Sequence, residues 1–102
     1  MGAITVNDEN FRTILNEKQK VIVKYNSGWC DICRSFQMKY DKLATDDRFQ
    51  EITFLEIIDN KGYKVGENSL PFFATYESGR IRSHISTDAE PEVVKILQDL
   101  QN

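Results

Sequence analysis

The alternation of hydrophobic and polar residues along the chain predicts strands and helices in turn. Residues 21–25, Val-Ile-Val-Lys-Tyr, are β-branched and almost continuously apolar, which is typical of a strand covered on both faces. Residues 52–58 have the same character. From Asp31 to about Ala44, apolar side chains recur every three or four residues and predict an amphipathic helix. A strand, a helix and a second strand in this order predict parallel pairing with a right-handed crossover.

The segments on either side of this unit add to the predicted sheet and its helical layers. Residues 4–6 are a short strand candidate, and Asn7 or Asp8 can cap the helix that follows. Residues 59–68, after the second buried strand, predict an irregular or briefly helical crossing.

The carboxyl-terminal third predicts an antiparallel hairpin and a last helix. Residues 72–76 and 81–85 flank a turn that contains glycine and a short polar residue. Thr87 followed by Glu90 predicts a capping box for the final helix. The sum is an α/β fold in a single domain spanning residues 1–102, with a central mixed sheet of about five strands and about four helices covering both faces.

Composition and charge exclude several classes of function. Of the 102 residues, 40% are hydrophobic and 28% charged, which is typical of a globular domain. The 13 basic residues are scattered among 16 acidic ones, so the chain lacks the basic patch of a nucleic-acid-binding protein. It also lacks an apolar run of about 18 residues for a membrane span, and residues 1–24 lack the apolar stretch of a signal peptide. We expect no nucleic-acid or membrane partner and a cytoplasmic location.

The placement of the two cysteines, Cys30 and Cys33, predicts redox chemistry. The Cys-x-x-Cys pair stands between the strand at 21–25 and the helix that starts near Asp31. Unpaired backbone N–H groups and the positive dipole end at a helix start stabilise a thiolate. Lowering a thiol pKa from about 8.5 to about 7 raises its thiolate fraction at pH 7 about fifteenfold.

The pair predicts thiol–disulfide exchange in two steps. Cys30 attacks a substrate disulfide, and Cys33 then attacks Cys30 and releases the reduced substrate. No metal or organic cofactor is required. The alternatives are a pair of buried structural cysteines or half of a zinc site, for which the chain offers only His84 as a further ligand.

These features resemble the thioredoxin family over essentially the full chain. The matching landmarks are the Trp-Cys-Asp-Ile-Cys segment at 29–33, the strand before it, the Leu70-Pro71 pair and the Glu-Ser-Gly turn at 77–79. The resemblance implies the thioredoxin fold and the activity of a thiol–disulfide oxidoreductase.

The resemblance also implies a substrate-binding groove, to which we assign Trp29, Ile32, Leu70 and Pro71. In the family, the matching proline is cis and packs beside the cysteines, and the backbone of the residue before it pairs with an extended substrate chain. Trp29 would shield the thiols and form part of the docking surface. Without the resemblance, Pro71 is simply a proline at a strand start and Trp29 a core aromatic residue.

Two departures from the family pattern concern the thiols and the groove. Asp31 and Ile32 stand where thioredoxins usually have Gly-Pro. The Asp31 carboxylate near Cys30 opposes the helix effect by on the order of a kilocalorie, or less where solvent screens it. We therefore expect a less acidic nucleophile and a reducing bias. Thr87 falls where the family usually has glycine, which predicts a narrower or more polar groove.

A third departure lies beneath the cysteines. Lys24 occupies the position of a buried Asp that serves the family as a proton relay. A buried amine must find a partner or deprotonate. We hypothesise a pair between Lys24 and Glu56, either of which could exchange a proton with Cys33. The alternative is a Lys24 side chain that extends to the surface, with Glu56 also solvated.

The leading functional hypothesis is a monomeric reductase of protein disulfides that receives electrons from a thioredoxin-reductase-like donor. A lone Cys-x-x-Cys pair in a reducing cytoplasm favours catalysis over structure. One alternative is a disulfide oxidase or isomerase, which needs an unusually stable thiolate and an oxidising compartment. Another is a binding module or adaptor in which the cysteines have a secondary redox role, because function does not follow from fold alone.

Overall fold

A computed structural model of the chain describes residues 2–26, 31–58 and 71–102. In chain order, its elements are β1 (Ile4–Thr5), α1 (Asp8–Glu17), β2 (Lys20–Asn26), α2 (Asp31–Ala44), a 3-10 helix (Asp47–Phe49), β3 (Thr53–Ile58), β4 (Phe72–Glu77), β5 (Arg80–Ser86) and α3 (Glu90–Gln101).

The five strands form one mixed sheet in the order β1-β3-β2-β4-β5. β3 pairs in parallel with both β1 and β2, whereas β4 pairs antiparallel with β2 and β5. In this register Lys24 of β2 lies between Glu56 of β3 and Phe73 of β4. The predicted parallel crossover and carboxyl-terminal hairpin are both confirmed.

Alternate residues of β2 face two separate hydrophobic layers. Val21, Val23 and Tyr25 pack with α1, whereas Ile22 packs with α2 and α3. All of these side chains are buried, as the continuous apolar run predicts. Each fully buried side chain of this kind contributes about 1.5–3 kcal/mol through removal from water. Since Lys24 follows the period of Ile22, its amine is directed into the layer between the sheet and α2.

Turn and cap chemistry fixes the ends of several elements. Asn7 caps α1, as predicted, because its side-chain Oδ1 accepts from the Asn10 amide at 2.8 Å. Ser78 and Gly79 form the hairpin turn with φ of 53° and 83°. The glycine adopts this left-handed conformation without the steric cost of a Cβ.

Two predictions need correction. The capping box at Thr87 and Glu90 is wrong: the N-cap of α3 is Ala89, while the Thr87 hydroxyl accepts from the Ala89 amide at 3.0 Å and donates to Glu92 at 2.8 Å. The sequence predicts about four helices covering the sheet. The described residues contain three α-helices, and the remaining helical element is only the short 3-10 helix. The crossing predicted for 59–68 lies outside them. None of the described helices is long and apolar enough to cross a membrane.

Candidate active site

The candidate site lies where β2 ends and α2 begins. Cys33 occupies the first turn of α2, is 1% exposed and is disulfide-bonded. Three of the predicted site residues, Cys30, Trp29 and Leu70, lie outside the described residues. The structure therefore gives the surroundings of the predicted site through Cys33 and the residues that pack beneath and beside it.

The first residues of α2 present one charged and one apolar side chain to solvent. The Asp31 carboxylate accepts from the Arg34 guanidinium one helical turn later, and its side chain is 86% exposed. An acidic residue in the first turn favours the helix start through the helix dipole. Ile32 is 51% exposed and so supplies apolar surface directly beside Cys33.

Lys24 lies directly beneath this turn with no exposed surface. Its ammonium donates to the backbone carbonyl of Cys33 at 2.9 Å and to the side-chain oxygen of Gln37 at 2.7 Å. Its Nζ also lies 5.8 Å from the centre of the Tyr40 ring, within the range of a cation–π contact. Burial lowers the pKa of Lys24 from 10.5 to about 8, while the Glu56 and Asp41 carboxylates oppose this shift.

Both predicted environments for Lys24 therefore need correction. The side chain does not extend to the surface, and Glu56 is not within ion-pair distance of it among the described residues. Glu56 is half-buried and accepts instead from Thr5 at 3.0 Å and from Asn26 at 3.4 Å. Neighbouring hydroxyl and amide donors thus hold the carboxylate, and it acts on Lys24 only through its charge.

Gln37 and Asp41 are site residues that the sequence reasoning missed. Gln37 accepts from Lys24, and its amide nitrogen donates to an Asp41 carboxylate oxygen at 3.0 Å. The same oxygen accepts from the backbone amide of Ala3 at 3.0 Å. The signal available in the sequence is spacing, because Cys33, Gln37 and Asp41 stand four residues apart and share one stripe of α2.

Pro71 is, with Ile32, one of the two predicted groove residues that the structure describes. It is buried immediately before β4, and its carbonyl accepts from the Thr87 amide at 3.2 Å. This hydrogen bond places Thr87 next to Pro71. The ring of Phe72 lies 5.5 Å from that of Tyr25 and 5.7 Å from that of His84. His84 is exposed on β5, where it stacks on an aromatic ring.

A buried amine beside a cysteine can act on a thiol in two ways. Its protonated form stabilises a thiolate by charge, and its neutral form can accept the thiol proton. With a pKa of about 8, the amine and the ammonium are both populated near neutral pH, whereas at the ordinary value of 10.5 almost all of the group is protonated. The arrangement is therefore suited to proton exchange at a cysteine.

Comparison with known proteins identifies relatives of this chain. The thioredoxin family profile matches residues 2–99. A Dictyostelium discoideum protein provisionally named thioredoxin-4 is 27% identical, over 94% of this chain and 97% of its own length. Rat protein disulfide-isomerase A4 is 34% identical over 44 residues, which cover 43% of this chain and 7% of that protein. The chain thus matches only a small part of that larger relative.

Solved thioredoxin structures share the fold. Thioredoxin f from spinach chloroplast superimposes with a TM-score of 0.85 and 19% identity, covering 99% of this chain and 95% of that chain. A similar chain, with a TM-score of 0.85 and 16% identity, comes from a complex of ferredoxin:thioredoxin reductase and thioredoxin f2, with coverage of 99% and 96%. At these identities the likeness shows the fold, and it confirms the predicted fold class.

Proposed function

This chain belongs to the thioredoxin family, and we propose that it reduces protein disulfides through Cys30 and Cys33. Membership implies thiol–disulfide exchange as the class of chemistry. The observation that carries the proposal is the state of Cys33, which is buried in the first turn of α2 and disulfide-bonded above the amine of Lys24. A cysteine so placed is shielded from solvent, and the Lys24 amine donates to its backbone carbonyl at 2.9 Å.

The proposed reaction transfers two electrons from the dithiol to the substrate. The Cys30 thiolate attacks one sulfur of the substrate disulfide, which forms a mixed disulfide and releases the other sulfur as a thiolate. Cys33, as its thiolate, then attacks the Cys30 sulfur and breaks the bond to the substrate. The products are a substrate dithiol, once solvent has protonated its thiolates, and the Cys30–Cys33 disulfide. A dithiol donor must reduce that disulfide before the next cycle.

Lys24 is the proposed proton acceptor for Cys33. Its neutral amine takes the thiol proton, which leaves a thiolate beside an ammonium. Burial lowers the pKa of Lys24 to about 8, which leaves part of the amine neutral near neutral pH, and attraction between the resulting thiolate and ammonium favours the transfer. About a tenth of the amine is neutral at pH 7, and about half at pH 8. Glu56 contributes by charge, because its own hydrogen bonds go to Thr5 and Asn26.

Ile32 and Pro71 belong to the proposed docking surface, together with Trp29 and Leu70. The exposed side chain of Ile32 supports contact with an extended substrate chain near Cys33. Asp31 would make Cys30 a weaker acid, although its exposure and its ion pair with Arg34 reduce the effect. This balance favours a reducing role.

The proposed electron donor is a thioredoxin-reductase-like enzyme. The support is the fold shared with thioredoxin f2 in its complex with ferredoxin:thioredoxin reductase. We propose that the chain acts as a monomer in a reducing compartment such as the cytoplasm, where a donor keeps the pair reduced.

The first test is the redox equilibrium of the cysteine pair against glutathione and a reference dithiol, together with reduction of insulin disulfides. A reducing potential with activity that Cys30→Ser abolishes supports the proposal, and Ser35→Ala on the exposed face of α2 serves as the control. The Cys33→Ser variant should accumulate the mixed disulfide. Full biological function of the Cys30→Ser variant would instead favour a binding module.

A disulfide oxidase or isomerase is the second candidate. The local match to protein disulfide-isomerase A4 favours it, as does the ammonium of Lys24, which would stabilise the reduced, thiolate form. The same equilibrium separates the two candidates, because an oxidising potential with refolding activity on scrambled disulfides would replace the reductase proposal. About 30 mV changes this two-electron equilibrium tenfold, so the measurement is sensitive.

A further inference from the structure

The stripe of α2 that carries Cys33 continues with two polar side chains in contact with each other. Gln37 lies one turn beyond Cys33 and Asp41 one turn beyond Gln37. Hydrogen bonds of 2.7 and 3.0 Å connect the Lys24 amine to the Gln37 amide and that amide to the Asp41 carboxylate. Gln37 and Asp41 are both half-buried, so this short chain of bonds connects a buried amine to the protein surface.

The orientation of the Gln37 amide depends on the charge of Asp41. An ionised carboxylate only accepts hydrogen bonds, so it must face the NH₂ group of Gln37. The amide oxygen is thereby directed at Lys24, whose protonated amine has hydrogen-bond donors and no acceptor. Reversing the amide would place oxygen against carboxylate and NH₂ against ammonium. Asp41 thus holds Gln37 in the orientation that keeps the ammonium of Lys24 in place.

The other groups that face Lys24 complete its electrostatic environment. β3 contributes the Glu56 carboxylate, and α2 contributes Cys33, the Tyr40 phenol and Asp41. β4 contributes the apolar ring of Phe73. Burial raises the pKa of Tyr40 well above its ordinary value of 10.0, so its phenol stays neutral through the working range. Within the described parts of the chain, Glu56 and Asp41 are therefore the anions that act on Lys24 from the neighbouring elements.

We infer that Gln37 and Asp41 are positioning residues that hold Lys24 against Cys33 and set the pH range in which the resolving step proceeds. The inference rests on the proposed function. In this scheme the Asp41 carboxylate favours the ammonium directly by charge and indirectly by orienting Gln37. The Ala3 amide, which donates to the same carboxylate oxygen, makes the amino-terminal segment part of this arrangement.

Two substitutions should move the proton affinity of Lys24 in opposite directions. Asp41→Asn removes a charge while keeping an oxygen for the Ala3 amide, so the pKa of Lys24 should fall by about 0.5 or more. Gln37→Glu places a carboxylate in direct contact with the amine, so the pKa should rise by about 1 or more. Asp99→Asn is the charge-matched control, since Asp99 lies on α3 near Arg82. Titration of the Lys24 Nζ and Cε signals by NMR measures all three in the oxidised protein.

The kinetic test follows the resolving step alone. Cys30 is converted to a mixed disulfide with glutathione, and the release of glutathione by Cys33 is timed as a function of pH. The midpoint of the profile should move down in Asp41→Asn and up in Gln37→Glu by amounts that match the NMR shifts. Both variants combined with Lys24→Met should show little movement, because the coupling passes through Lys24.

The outcomes separate this inference from the proposed function. Three results would overturn the inference. The midpoints could stay within about 0.2 pH units of wild type in both variants, or they could move in the same direction. They could also move by the same amount when Lys24 has been replaced with methionine. No protein substrate enters these measurements. If the wild-type protein fails to reduce insulin while the midpoints move as expected, only the reductase proposal fails.

Discussion

Replacing Lys24 with methionine should remove a specific pH dependence of stability. The folded protein releases the Lys24 proton at a pKa of about 8, whereas the unfolded chain holds it up to about 10.5. Between these values the unfolded state binds more protons, so the free energy of unfolding rises with pH. Below pH 8 both states are protonated, and the full cost of burying the charge is present. Lys24→Met has no proton to release and should lack this rise.

The magnitude follows from the two pKa values. From pH 7 to pH 9.5 the proton-linked gain is about 2 kcal/mol for these two pKa values. Measurement should end near pH 9.5, because Tyr40 introduces an opposite trend. The pKa of its buried phenol is raised, so stability from this group is lost as the unfolded chain ionises above about pH 10.

The assay is urea unfolding of the oxidised protein at several pH values, with the disulfide intact so that no thiol titrates. The difference in unfolding free energy between wild type and Lys24→Met should grow by about 2 kcal/mol over this range. Lys39→Met, an exposed change on the same helix, should leave the pH dependence as in wild type. If the difference in unfolding free energy between wild type and Lys24→Met changes by less than about 0.3 kcal/mol over this pH range, the argument that Lys24 is buried as a charged amine at neutral pH is refuted.

Other predictions address the core, a cap, a turn and the nucleophile. Leu97→Ala should lower the unfolding free energy by about 2–5 kcal/mol, since the side chain is fully buried. A smaller loss would mean that the side chains between the sheet and α3 move in to fill the cavity. Asn7→Ala should cost about 1 kcal/mol through the lost cap of α1, whereas Asn7→Ser should restore most of it. Gly79→Ala should cost about 1–2 kcal/mol, measured by urea unfolding, because the residue has a φ of 83°. Asp31→Asn should increase the alkylation rate of Cys30 below pH 7 by less than about fivefold, and a decrease would contradict the assigned sign.

Local patterns were sufficient for most of the fold. The apolar run at 21–25, the helical spacing after Asp31 and the turn at Ser78 and Gly79 each depend on interactions between near neighbours in the chain. Such patterns fix which residues form an element and which face is buried. The predicted capping box at Thr87 is wrong because the last helix begins after Ala89, and the Thr87 hydroxyl accepts from the Ala89 amide while it donates to Glu92.

The sequence by itself determined that Lys24 belongs to a buried strand and that Cys33 opens a helix, because both conclusions follow from the periodicity of adjacent residues. Only the tertiary structure decided which groups meet. Strand register places Glu56 beside Lys24, yet the amine bonds to the Cys33 carbonyl and to Gln37. The physical reason is that a lysine side chain extends away from its sheet, so its partners come from the helix packed above rather than from the neighbouring strand. How that helix sits on the sheet depends on the packing of side chains distant in sequence, which no local pattern records.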